Sequence, residues 1–339
     1  MPELRIDPLS GHRTIIAGER SRRPGGEPRS TPADPIDPAS DPFAEGHEDR
    51  TPPELYAVRE DGSPPNSPGW RVRVVPNLYP ALSAPASDGA RSPVAAQEQP
   101  EGRGGTPQEL FISLPATGGH EVIVNGPQPV TSLAELPREQ VIEAVDTWRE
   151  RMRVHEHSAY VQLIVNERVE AGASLPHTHA QLYALDFVPG EVARERERSS
   201  AYTTRTMGAS LLGDVVAEEV RRGERVVAID EEAVLIAPWA SRLPFQLMLA
   251  PRRPRSRFEE GGASGASLLH DGLCRLARHL GSSPPLNMWV RTAPRGAEDF
   301  CWRIDVMPRL THLAGLELST GLNLNIVSPE QAAAALRDR

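Results

Sequence analysis

The stretch ASLPHTHAQLY, residues 173–183, sets His177 and His179 one residue apart after a proline and follows them with Gln181 in a run that alternates like a strand. Side chains of an extended chain point to alternate faces, so His177, His179 and Gln181 form a polar row, with Leu182 and Ala184 on the opposite, buried face. The preceding EAGASLP, residues 170–176, offers small residues and free backbone amides that a phosphate can approach closely. Three readings stay open at this point: a solvated row on an edge strand, one arm of a metal site, or a nucleophile with its helper. Cysteine partners are lacking nearby. A second pair, His155 and His157, falls at the end of a predicted helix, where residues two apart point away from each other, and reads as surface.

Outward from this stretch, the chain reads as one unit written twice. WRVRVVPNLYPAL (70–82) and HEVIVNGP (120–127) read as strands, then comes a helix from about Leu133 to Val154, then AYVQLIVNER (159–168) and THAQLYALDF (178–187) as strands. Leu133, Leu136, Val141, Ile142, Val145, Trp148 and Met152 fall broadly on one helical face. Later, RVVAIDEEAVLIAPWA and FQLMLAPRRP precede a helix from about Gly265 to Leu280, followed by LNMWVRTAP and CWRIDVMPRL. The order predicts an α+β fold of two halves, each an antiparallel sheet with helices, related by a pseudo-twofold. The expected boundaries are 1–190 for the first half, 191–225 for a charged helical connection with a solvated face, and 226–339 for the second half. Residues 24–66 and 82–107, dense in Pro, Gly, Ser and charge, read as loops or disorder.

Composition narrows the chemistry. Of 339 residues none is lysine, which excludes a Walker-type phosphate loop and a pyridoxal Schiff base. A net charge of -9 argues against a general nucleic-acid or anionic-membrane binder. Cys274 and Cys301, the only cysteines, make neither a disulfide framework nor a cysteine-rich zinc site. With no signal-type apolar core near the N-terminus and no run of about 18 apolar residues, a cytoplasmic protein is expected.

NERVEAGASLPHTHAQLYALDFVP, residues 166–189, resembles the active-site segment of the galactose-1-phosphate uridylyltransferase family, within the histidine-triad superfamily. RIDPLSGHRTIIAGERSRRP, VVPNLYPAL, PWASRLPFQLMLAPRR and PRLTHLAGLELSTGLNLNIVSPEQAA resemble further segments of that family in the family's order. The resemblance implies that His179 attacks the α-phosphorus of a nucleotide sugar, giving a nucleotidyl-histidine, with His177 supporting its placement. It implies that Gln181 donates to a phosphoryl oxygen, that Ser174 and Asn166 hold the phosphates, that Arg20 and Arg23 approach the phosphate region, and that Asn77 meets the nucleoside. The implied partners are a nucleotide sugar and a sugar 1-phosphate or phosphate, on a homodimer with sites completed across the interface.

The sequence departs from that pattern where the family holds metals. Asp41, Ala44 and Pro129 stand at three positions of the usual structural zinc, leaving only His177. At a second metal site only Glu195 matches, with Arg291, Cys301 and Arg303 at the other ligand positions. No cofactor is therefore expected, although Asp41, Glu45 and His47 are the candidates for a replacement site. Glu317 occupies the region of the sugar loop where bacterial uridylyltransferases carry lysine, so galactose specificity is not supported. The expected activity is nucleotidyl transfer between a nucleotide sugar and a sugar 1-phosphate. The alternatives are a nucleoside diphosphate-sugar phosphorylase or dinucleotide hydrolase on the same site, or a nucleotide-binding protein that has lost catalysis.

Overall fold

The computed structural model describes residues 2–22, 28–59, 63–83, 110–262 and 265–337. Its centre is a ten-stranded, wholly antiparallel sheet in the order β3-β4-β5-β7-β6-β11-β12-β10-β9-β8. In the first half, β3 is Tyr56–Arg59, β4 Trp70–Pro76, β5 Gly118–Val124, β6 Tyr160–Glu167 and β7 His179–Leu185. In the second, β8 is Val226–Ile229, β9 Ala233–Ile236, β10 Leu247–Pro251, β11 Leu286–Arg291 and β12 Arg303–Pro308. Taken from opposite edges, the two halves have the same strand order, and each inserts a helix before its fourth strand: α1, Arg138–Val154, and α4, Ala266–Leu280. The predicted α+β fold of two similar halves is what the chain adopts. They are fused into one sheet where β6 pairs with β11, Asn166 opposite Asn287.

One face of this sheet is apolar. Leu163, Val165, Ala180, Leu182, Met288, Val290, Ile304 and Val306 pack with Val141, Ala144, Val145, Trp148 and Met152 of α1 and Leu269, Leu273 and Leu276 of α4 in one core. Burying each large side chain of this set is worth roughly 1.5–3 kcal/mol, which pins the register: a slip of one residue would turn every buried side chain to the other face. Helix α1 starts at Arg138 rather than Leu133, because Pro137 sits at its N-cap with extended backbone; Leu133–Glu135 form a separate 3-10 turn capped by Ser132.

The connection between halves is two helices, α2 (Gly190–Thr206) and α3 (Leu211–Arg222). It is not a uniformly solvated run: Val192 and Glu195 of α2 and Leu211, Leu212 and Val216 of α3 are buried, and the α3 residues pack on Val234, Ile236 and Met248. A small second sheet joins β1 (Glu3–Ile6), β2 (Arg13–Ile16) and β13 (Asn323–Asn325), tying the two ends of the chain together. Helix α5 (Gly315–Thr320) precedes β13, and α6 (Pro329–Arg337) packs against α4. Among the described residues no helix is long and apolar enough to cross a membrane.

One segment differs from the loop reading. Residues 24–66 contain β3, and Asp41, Phe43 and Glu48 are buried there. The indole Nε1–H of Trp70 donates to Glu48 at 2.7 Å, and the guanidinium of Arg73 bonds Thr51 and Glu54. Buried hydrogen bonds of this kind order the segment where apolar content alone would not. Residues 84–107 lie outside the described residues.

Candidate active site

The other face of the sheet carries the polar groups. Val122, Gln181, Ile164, Trp289, Asp305 and Met248 are successive cross-strand partners, so Gln181 in the first half and Asp305 in the other project from the same side of the sheet.

Strand β7 begins at His179, so His177 does not continue the strand row as expected; it sits in the turn just before it. Its ring is fully buried and held at both nitrogens, Nδ1 against Asp41 Oδ2 at 2.6 Å and Nε2 against the carbonyl oxygen of Gly126 at 2.8 Å. Burial pushes the Asp41 carboxyl up, but hydrogen bonds from His177 and the backbone N–H of Phe43 together outweigh it and hold the group below its ordinary range. The turn is anchored from behind as well. Trp148 Nε1–H of α1 donates to Asn125 Oδ1 at 3.0 Å, Asn125 Nδ2 donates to Thr178 at 3.2 Å, and the backbone N–H of Thr178 donates to Val130 at 2.9 Å. At the end of β6, Arg168 takes φ 72° and ψ 155°, a region costly for a side-chain-bearing residue, and its guanidinium is tied to the carbonyl of Thr31 at 2.6 Å.

His179 is buried beneath the edge of the Phe43 ring, 5.3 Å between centroids. Its Nδ1 lies 2.7 Å from the carbonyl oxygen of His177, an acceptor only, so the ring proton is on Nδ1 and the lone pair on Nε2. Burial lowers its pKa, with the hydrogen bond to His177 opposing, so the ring is kept neutral near pH 7. A neutral imidazole with one nitrogen pinned and the other unprotonated is a nucleophile.

Gln181, two residues on, accepts at Oε1 from His120 Nε2 at 3.1 Å and from the Tyr183 hydroxyl at 3.0 Å. His120 stacks on Tyr183 with ring centroids 4.1 Å apart, and Asn77 Nδ2 lies 3.1 Å from His120 Nε2. Gly118 lets β5 approach β7 closely enough for this pairing: its φ is +147°, and a Cβ there would come within 2.0 Å of the Ala184 carbonyl oxygen.

His177, His179, Gln181 and Asn77 are therefore brought together with Asp41, Phe43, His120 and Tyr183. Phe43, His120 and Tyr183 were missed as site groups, and Asp41 was named only as a candidate metal ligand. His120 and Tyr183 show no special spacing, but the same-face parity of β7 places Tyr183 in the row of His179 and Gln181. Asn166, one position past the Val165–Ala180 pair, continues the β6–β7 register toward His179 and accepts from Asn287 at 2.8 Å in a groove of about 360 Å³ shared with Arg242, Arg309 and Asn323. The remaining candidates are not held in this cluster. Ser174 is exposed. Glu317 caps its own helix, accepting from the backbone N–H of Ala314 at 3.0 Å. Arg20 is exposed on a 3-10 turn, and Arg23 lies outside the described residues. His155, expected at the surface, is half-buried and pairs with Glu121 at 2.7 Å; His157 is exposed.

At the departed metal positions the structure has ion pairs. Glu195 meets the guanidinium of Arg303 through both oxygens at 2.9 and 3.1 Å, and Arg303 also bonds Asp305 at 2.9 Å. With Arg291, Arg242 and Trp289 they line a cavity of about 230 Å³. Asp41, Glu45 and His47 do not converge: Glu45 accepts from the backbone N–H of Gly69, and His47 Nδ1 meets the Asp41 carbonyl oxygen. Among the described residues no group of three or more His, Cys, Asp or Glu side chains is arranged to hold a metal ion.

Comparison with known proteins bears on the family and the fold. Residues 1–189 match the family model for galactose-1-phosphate uridyl transferase, N-terminal domain, and residues 132–339 match that of a domain of unknown function, DUF4921. The chain is 28% identical over 350 residues to an ADP-glucose phosphorylase of Arabidopsis thaliana, covering 99% of this chain and 93% of that protein. It is 26% identical over 363 residues to a galactose-1-phosphate uridylyltransferase of Cryptococcus neoformans, covering 98% and 89%. A crystal structure of the Arabidopsis thaliana ADP-glucose phosphorylase with bound ADP-glucose superposes with TM-score 0.78 at 25% identity, covering 100% of this chain and 99% of that one.

Proposed function

Because the chain belongs to the galactose-1-phosphate uridyl transferase family, we propose that it moves a nucleoside monophosphate from a nucleotide sugar to a phosphate-bearing acceptor through a nucleotidyl-His179 intermediate. The observation that carries this reading is the state of His179: neutral, its Nδ1–H spent on the His177 carbonyl, its Nε2 lone pair available two residues from an amide donor. Nε2 attacks the α-phosphorus, and the sugar 1-phosphate departs with the electron pair of the broken P–O bond. Charge that grows on the phosphoryl oxygens is met by the amide of Gln181. The acceptor then attacks the same phosphorus from the open side and restores the imidazole.

Inorganic phosphate is the acceptor we favour, which makes the chain a nucleoside diphosphate-sugar phosphorylase. Similarity along nearly the whole chain to an ADP-glucose phosphorylase supports it, as does Glu317, spent on capping its own helix. Transfer to a sugar 1-phosphate uses the same first step. Asn77 is read as nucleoside contact, and Asn166, Ser174, Arg20 and Arg23 as phosphate contacts. We further infer a cytoplasmic homodimer; the exposure of Arg20 is in keeping with a site completed by a second copy.

A screen of UDP-, ADP- and GDP-glucose, each with and without phosphate, measuring released glucose 1-phosphate, tests the reading. The wild-type protein should also acquire a base-stable, acid-labile nucleotidyl group that mass spectrometry assigns to His179, and His179→Gly should abolish it. Nucleotide binding with neither release nor adduct would reduce the chain to a binding protein. Steady turnover by His179→Gly would exclude the covalent route.

A further inference from the structure

Gln181 has two hydrogen-bonding ends, and the described residues fill one of them. Its Oε1 takes hydrogen bonds from His120 and Tyr183, while among the described residues none bonds its amide nitrogen. An amide oxygen has two acceptor sites, so a flipped amide would set N–H groups against two donors. The donor at His120 is itself fixed. Nδ1 of that ring accepts the backbone N–H of Ala81 at 3.1 Å, which leaves the ring proton on Nε2, facing Gln181; Asn77 Nδ2, also a donor and also 3.1 Å from Nε2, makes no hydrogen bond to it in this tautomer. Burial holds the His120 pKa below its ordinary range, with the bond to Gln181 opposing. Asn77 N–H donates to the His120 carbonyl at 2.9 Å, so residues 77–81 hold both the backbone and the ring of His120. On the neighbouring strand, Tyr183 is the register partner of His120 and stacks on it, so the two donors brace each other.

We propose that His120, braced by Tyr183, is a positioning residue for phosphoryl transfer. It locks the Gln181 amide with its N–H groups outward beside His179, ready for the phosphoryl oxygen that gains charge as the Nε2–P bond forms. No proton leaves His120 in this step: the P–N bond forms, the P–O bond to the sugar 1-phosphate breaks, and the Nδ1–H of His179 stays on the His177 carbonyl. The inference rests on the nucleotidyl-transfer reading and adds a residue that acts through Gln181 without touching substrate.

The test is a double-mutant cycle on adduct formation in single turnovers with UDP-, ADP- or GDP-glucose, whichever the wild-type protein uses. His120→Phe keeps an aromatic ring against Tyr183 and removes the donor; it should slow adduct formation about tenfold or more at saturating substrate, leaving the apparent affinity within about threefold. In a Gln181→Ala background the same change should cost nothing further, and His120→Gln, which retains an N–H donor, should recover part of the rate. An equal penalty in both backgrounds, or a loss confined to affinity, overturns the proposal. A second readout needs no turnover: nitrogen-15 NMR of the histidine rings should show His120 as the neutral Nε2–H tautomer and shift its signal on Gln181→Ala. An Nδ1–H tautomer, or a signal indifferent to Gln181→Ala, overturns the positioning role. If no nucleotide sugar gives an adduct, the functional reading fails while this measurement still decides the geometry.

Discussion

Asp41 Oδ2 and His177 Nδ1 stand 2.6 Å apart with both side chains fully buried, and this contact joins residues 41–48 to the turn that presents His179. Removing one member of such a pair leaves an uncompensated buried group, typically costing ~3–5 kcal/mol. Asp41→Ala should therefore lower the melting temperature markedly and slow nucleotidylation of His179, because the His177 carbonyl that fixes the His179 tautomer is no longer anchored. Asp41→Asn, which keeps the shape, should lose less stability. Calorimetry beside adduct formation checks both, and an Asp41→Ala protein as stable and as fast as wild type would show the pair to be idle.

The state of His179 has a pH signature. Its folded pKa lies below the ordinary 6.5, so the nucleophile stays unprotonated as pH falls through that value and is lost only at lower pH. The acid limb of single-turnover adduct formation should lie below pH 6.5. Asp41→Ala also removes a nearby negative charge that favours the imidazolium, so the limb should move further down rather than up. An acid limb above 6.5 in the wild-type protein would mean that His179 is not the group titrating.

Much of this was legible in the residues, for physical reasons that also mark the limit. The repeated order of strands and helix was readable because Leu182 and Ala184 alternate against His179 and Gln181, and because Val141, Val145, Trp148 and Met152 keep helical period. The start of α1 was overrun by five residues because Leu133 and Leu136 are buried like the helix, although Pro137 separates them from it. Phe43, and the pairing of Asp41 with His177, were hidden because they depend on a polar, proline-rich segment ordered by long-range contacts: the partner of Asp41 is 136 residues away. His120 was hidden for a related reason, since what defines it is the neighbouring strand, 61 residues on at Gln181.

Ion pairs occupy the positions where the family resemblance implies metals, and this predicts the metal content. The carboxylate oxygens of Glu195 meet Arg303, and that of Asp41 nearest His177 meets a ring nitrogen, so a divalent ion would have to displace buried hydrogen bonds to bind. Purified protein should hold well under one equivalent of zinc or iron, and a chelator should leave its melting temperature unchanged. One chelator-resistant metal per chain, by elemental analysis, would overturn this.

Glu167, at the seam between the halves opposite Leu286, supplies the last prediction. Its carboxyl accepts from the Ser132 hydroxyl and the Leu133 backbone N–H, each at 2.7 Å, and burial outweighs both bonds and pushes its pKa from 4.5 to about 7. The sign follows from proton binding: the folded state holds this proton more tightly than the unfolded chain does. The stabilisation it gives is complete below about pH 4.5 and is lost as pH rises toward 7, in total about 3 kcal/mol. The wild-type protein should thus lose stability across that window through this one group, against the gains of its ion-paired carboxylates. Glu167→Gln keeps one carbonyl acceptor and cannot ionise, so its stability relative to wild type should rise steadily from pH 5 to pH 8. Denaturant titrations of both proteins at several pH values measure the difference directly. A constant difference across the range would mean that Glu167 is ionised throughout and that some unseen donor compensates it.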